Sequence, residues 1–96
     1  MTKVVDGELI IETKEDLLYM MYEEESVEEL REDPYKHDIS IVSAVASFEN
    51  RHWLFTFMRS YNDGIEDYFP IKGREAEQKE VVKKVWVLKN DNPQSA

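Results

Sequence analysis

The sequence predicts an α+β fold, in which an antiparallel sheet of three to five strands carries an N-terminal helical segment packed on one face. Residues 38–61 are rich in β-branched and aromatic side chains and contain a short polar break, which is typical of two paired strands. Residues 14–33 carry apolar side chains at helical spacing. The 96 residues suffice for one domain, expected at residues 1–90, with a flexible C-terminal tail at 91–96.

The N-terminal third predicts a turn and then the helical segment. Asp6-Gly7 lies between two apolar runs, which indicates either a small hairpin or one strand with a turn ahead of it. Thr13 is followed by acids and is the expected N-cap. Ser26 begins a second capping box, so the segment is one long helix or two, and Pro34 is expected to end it.

The middle of the chain predicts the sheet. Residues 53–61 have apolar groups at both odd and even positions, which indicates a central strand covered on much of both sides. Residues 68–71 predict a third strand, which we expect at a sheet edge because Pro70 has no N–H to donate. Gly73 is expected to break the chain after it.

The C-terminal third gives competing signals. Residues 74–84 favour a helix by propensity and residues 85–88 favour a strand, although the valines from 81 onward also fit one helix face. We expect a helix and then a strand. The expected core consists of Ile10, Leu17, Met20, Met21, Leu30, Ile41, Val45, Leu54, Phe55, Phe57, Met58 and Val85.

Negative charge is concentrated early in the chain. The net charge is −9, and residues 6–33 hold twelve acids against two bases, whereas residues 34–96 are balanced. Phosphate binding depends on Lys and Arg, so we expect the protein to repel nucleic acid and anionic membranes and to attract basic partners. The expected protein-binding residues are Glu23, Glu24, Glu25, Glu28, Glu29, Glu32 and Asp33.

Signatures of catalysis and cofactor binding are missing from the sequence. The chain has no cysteine and three glycines, which excludes thiolate zinc sites and disulfides and argues against a glycine-rich phosphate loop. His37 and His52 each lack a second histidine at i+3 or i+4, so we expect solvated turn residues rather than metal ligands. We expect no catalytic residue, no metal and no cofactor.

Residues 3–17 resemble the opening of barstar-like inhibitors, with a strand, a Gly-Glu turn and a capped helix. The similarity covers only these residues, and the aromatic hairpin after Asp38 departs from the barstar pattern. The resemblance therefore implies no functional residue in this chain.

The favoured function is a small acidic, non-catalytic protein-binding module. One form of it is an inhibitor of the phage or mobile-element type, whose carboxylates imitate the charge of DNA on a basic, nucleic-acid-binding surface of a partner. The alternatives are a self-associating accessory subunit, such as a homodimer, that uses its aromatic sheet, and a small enzyme or metal protein that uses His37 or His52. The sequence has no apolar run of the roughly 20 residues that a membrane helix needs and no signal core, so we expect a cytoplasmic protein.

Overall fold

A computed structural model of the chain describes residues 1–62 and 64–89. Strands account for 51% of the chain and helical turns for 11%, so the fold is mainly β and the expected α+β class is wrong. The strands are β1 (Lys3–Val5), β2 (Glu8–Ile11), β3 (Val27–Lys36), β4 (Ile39–Phe48), β5 (Arg51–Ser60), β6 (Gly64–Ile65) and β7 (Ile71–Ala76). Helix α1 (Lys14–Leu18) continues into a π-helical turn (Tyr19–Glu23).

All the strands join one antiparallel sheet in the order β1-β2-β7-β5-β4-β3, and β6 pairs with the end of β5. The strands β3, β4 and β5 follow one another as a meander of ten-residue strands. The chain then returns, and β7 fills the position between β5 and β2. The strand pair expected at residues 38–61 is therefore confirmed as β4 and β5.

Two tight turns join the hairpins β1–β2 and β4–β5. Asp6 and Gly7 have φ angles of 52° and 78°, and Glu49 and Asn50 have φ angles of 54° and 62°. Two successive residues with positive φ form the turn whose twist matches the flanking strands. Of the two alternatives for the first turn, the structure has the hairpin.

The helical segment is much shorter than the sequence predicts. Thr13 caps α1 as expected, because its Oγ1 accepts a hydrogen bond from the N–H of Asp16 at 3.1 Å. Ser26 begins no new helix: its hydroxyl donates to the carbonyl of Met20, and β3 starts at the next residue and runs through Pro34. Pairing with β4 along the whole of β3 outweighs local helix propensity, and an edge strand tolerates proline.

The C-terminal third also differs from the expectation. Strand β7 lies inside the sheet rather than at an edge, and Pro70 only precedes it. Gly73 continues the strand, at a point where a Cβ atom would lie 3.3 Å from the carbonyl oxygen of Leu54. Residues 77–89 form neither the expected helix nor the expected strand. The tail expected at 91–96 lies outside the described residues.

The hydrophobic core lies on one face of the sheet, here called the covered face. Trp53, Phe55 and Phe57 alternate along β5 on this face and pack with Leu17 and Met20 of the helical turns. The Trp53 indole also donates a hydrogen bond to the carbonyl of Phe48 at 3.1 Å. Trp53, Phe55 and Phe57 are therefore part of the hydrophobic core.

The opposite face, here called the open face, has no covering element among the described residues. Four expected core residues are confirmed as buried, namely Leu17, Met20, Phe55 and Phe57. Three are wrong, because Leu30, Leu54 and Val85 are 53%, 44% and 78% exposed. The even positions of β5 belong to the open face, so the expectation that this strand is covered on both sides is also wrong. The remaining expected core residues are half-buried: Ile10, Met21, Ile41, Val45 and Met58.

Within the described ranges, neither helical turn has the length and apolar composition needed to cross a membrane.

Candidate protein-binding edge

The seven acids expected to bind a partner do not share a helix face. Glu23 ends the π-helical turn, and Glu24 and Glu25 follow it in the connection to β3. The other four acids lie on β3, the last strand of the sheet. Their register with β4 places Glu29 and Glu32 on the covered face, opposite Ala44 and Val42, and places Glu28 and Asp33 on the open face.

Arg59 pairs with two of the acids on β3 and offsets one of their two negative charges. Its guanidinium donates to both carboxylate oxygens of Glu29, at 2.8 and 2.9 Å, and lies 3.2 Å from a carboxylate oxygen of Glu32. The same guanidinium lies 5.9 Å from the centre of the Phe57 ring. Because Arg59 is on β5, this contact links β3 to a strand two positions away, across β4.

The contact between Arg59 and the acids of β3 shifts the pKa values of Arg59 and Glu32. Hydrogen bonding to Glu29 raises the pKa of Arg59 above its usual range. The hydroxyl of Ser40 donates to Glu32, and this hydrogen bond, together with Arg59, lowers the pKa of that carboxyl. Glu29 and Glu32 therefore pair with an arginine of the same sheet. This pairing argues against a row of free carboxylates on β3 that would imitate the charge of DNA.

A second arginine pairs with a third acid of the set. The side chain of Arg31 lies 2.8 Å from a carboxylate oxygen of Asp33, two residues along the same strand. In contrast, Glu23, Glu24, Glu25 and Glu28 form no ion pair within residues 1–62 and 64–89. Glu28 is the only one of these four on β3, so it is the acid of the open edge that remains available to a partner.

The outer side of β3 is the longest uncovered edge of the sheet. The strand pairs with β4 on one side, and no described strand lies on its other side. Proteins commonly blunt such edges with proline, bulges and charge. In β3, Pro34 and a bulge near Tyr35 blunt the second half, and a bulge at Leu30 interrupts the middle. The segment Val27–Leu30, here called the receiving segment, contains no proline.

Residues 77–89 follow β7 and form neither helix nor strand; this segment is here called the arm. Val82 is 98% exposed and Trp86 is 102% exposed. The radius of gyration of the molecule is 18.0 Å, whereas a compact chain of this length has about 12–13 Å. The arm begins beside Glu28 and Leu30, where Glu77 and Gln78 line a shared cavity, and further along it presents large apolar side chains to solvent.

The arm is also basic, unlike the rest of the exposed surface near β3. It carries Lys79, Lys83, Lys84 and Lys89 against two glutamates. Sequence reasoning missed it as a surface because its valines fit both a helix and a strand. One feature of the sequence could have revealed it. Residues 81–88 have apolar side chains at both odd and even positions, and the sequence contains no further strand-like segment that could pair with them.

The two histidines are both exposed. His37 lies in the turn between β3 and β4, and His52 lies on the open face of β5. The described residues contain no group of three or more His, Asp or Glu side chains that could hold a metal ion.

Comparisons with protein-family models, curated proteins and solved structures gave no match to this chain. The functional argument therefore depends on the chain's own residues.

Proposed function

We propose that this protein is a non-catalytic binding module that accepts a basic, extended segment of a protein partner along the receiving segment of β3. The observation that carries the proposal is the uncovered edge of this strand, which combines unpaired backbone groups with an unneutralised Glu28. Backbone hydrogen bonds from strand addition would supply affinity. The acidic edge would select lysine-rich segments and speed their association.

The position of Arg59 supports the same reading. Because it holds Glu29 and Glu32 from the covered face, β3 is fixed in place before a partner arrives. A preordered strand costs less conformational entropy on binding than one that must fold around its ligand. The edge is therefore suited to act as a rigid template.

The test uses labelled peptides as long as β3, in which valine alternates with lysine, and matched peptides in which glutamate replaces each lysine. We expect the basic peptides alone to raise fluorescence anisotropy, with an affinity that falls as salt increases. Hydrogen exchange should slow at amides of β3 in the complex.

The variant Glu28→Lys should weaken binding of the basic peptides. Glu15→Lys is the matched control, because it makes the same charge change at an exposed position of α1 that forms no ion pair with a described residue. Equal binding of acidic and basic peptides, or equal effects of the two variants, would refute the proposal.

A further inference from the structure

The receiving segment and the arm carry complementary sequences. Residues 27–30 read Val-Glu-Glu-Leu, and residues 82–85 read Val-Lys-Lys-Val. When the two segments are aligned as neighbouring strands, each lysine lies opposite a glutamate and each apolar side chain lies opposite another. Opposite charges and β-branched pairs at directly facing positions stabilise strand pairing, whereas like charges destabilise it.

We propose that the arm of one copy of this chain adds, antiparallel, to the receiving segment of a second copy, so that two exchanged arms close a homodimer. This inference rests on the proposed function, because it names the partner of the same edge. In this register Lys84 faces Glu28, Val85 faces Val27 and Val82 faces Leu30.

The charges on the edge favour this occupant. Glu28 forms no ion pair with any described residue, so a lysine opposite it gains an unshared carboxylate. Glu29 already binds Arg59, so Lys83, which lies opposite Glu29 in this register, would share that carboxylate with Arg59. We therefore expect the Glu28–Lys84 pair to carry most of the charge specificity.

Exposure of the arm supplies the second reason. The side chains of Val81, Val82, Val85, Trp86, Val87 and Leu88 are each more than 70% exposed. Contiguous apolar surface of this kind marks an interaction site. The open face also carries exposed Leu30 on β3 and Leu54 on β5, and Val82 on an added strand would lie beside Leu30.

Reach favours the edge of a second copy over the chain's own edge. Ala76 ends β7 opposite His52, which lies opposite Ser47, and the N–H of Ser47 donates to the carbonyl of Ser26. A strand added beyond β3 would therefore lie four strand spacings from Ala76, or about 19 Å.

In the antiparallel register Val82 must also lie level with Leu30, which the bulge places about 12 Å further along the strand, so the separation from Ala76 is about 22 Å. Six residues span at most about 20–22 Å. The chain's own arm could therefore reach this position only if all six residues ran fully extended in a straight line, whereas the arm of a second copy has no such limit.

The experiment measures the oligomeric state of the full chain by sedimentation velocity over a concentration series. We expect a dimer that dissociates on dilution. Glu28→Lys and Lys84→Glu should each weaken dimerisation about tenfold, and the double variant, which exchanges the charges, should restore it. Lys84→Pro removes both the charge and the backbone N–H, so it is compared with Lys84→Ala, which removes only the charge; we expect Lys84→Pro to weaken dimerisation further, without disturbing the monomer fold, because the arm forms no part of the sheet.

A chain that stays monomeric at the highest attainable concentration would overturn the inference. A dimer indifferent to both charge variants would also overturn it. A monomer in which the arm amides resist hydrogen exchange would show that the arm folds back on its own copy, which overturns it too. In each case, binding of the basic peptides to β3 would leave the proposed function standing, whereas failure of those peptides would remove it.

Discussion

The contact between Arg59 and the acids of β3 gives the sharpest stability prediction. In Arg59→Met the guanidinium is lost and an apolar chain of similar length is kept. Two hydrogen bonds to Glu29 and one ion pair to Glu32 disappear, and the two carboxylates are left near each other. We expect β3 to loosen from the sheet and the protein to be destabilised.

The magnitude follows from the exposure of the partners. Hydrogen bonds to charged groups contribute about 1.5–3 kcal/mol when buried, whereas exposed ion pairs contribute about 0–1 kcal/mol. The side chain of Arg59 is 25% exposed and that of Glu29 is 40% exposed, so this contact lies between the two cases. We expect a loss of about 1–2 kcal/mol, which lowers Tm by about 5–15 °C in a domain of this size.

The assay is urea and thermal unfolding of the wild type and Arg59→Met at low and high salt. Arg31→Met is the matched control, because Arg31 is 73% exposed and pairs only with Asp33 on its own strand. We expect the control to lose less than about 0.5 kcal/mol. The reasoning would be refuted by equal losses in the two variants, or by a loss in Arg59→Met too small to distinguish from the wild type.

Two further predictions concern the other edge and the middle of the sheet. Gly73→Val should lower the free energy of unfolding in urea by about 1–3 kcal/mol, because its Cβ would meet the Leu54 carbonyl oxygen at 3.3 Å and its methyl groups would crowd the core. Gly73→Ala should lower it by less, since it adds only the Cβ. A larger loss in Gly73→Ala than in Gly73→Val would contradict this account. Hydrogen bonds from Lys3 and the N-terminal amine lower the pKa of Glu12 to about 2 from its ordinary value of 4.5. Because this pKa is lowered on folding, the contact is complete above pH 4.5 and is lost as pH falls through about 2. An NMR titration of the Glu12 carboxyl should show a higher pKa in Lys3→Met and no change in Lys14→Met.

Part of the candidate site could be read from the sequence and part could not. The sequence predicts seven acids as binding residues, and four of them lie on one strand at the sheet edge. The pairing of Glu29 and Glu32 with Arg59 could not be foreseen, because Arg59 lies 30 positions from Glu29 and meets it only across the intervening strand β4. The arm was visible as a run of valines and lysines, but its isolation depends on β7 ending at Ala76.

Local chemistry determined the features whose partners are neighbours in the chain. The Asp6-Gly7 turn, the Thr13 cap and the β4–β5 pair were all predictable, since each requires only adjacent residues with suitable φ angles, capping oxygens or alternating side chains. Tertiary structure decided the rest. Residues 27–36 became a strand because β4 offered a partner along their whole length, and β7 entered the sheet centre because β2 and β5 left a position there. Periodicity can show that a strand has two faces, but which face is covered depends on backbone pairing between distant residues, and no local pattern records that pairing.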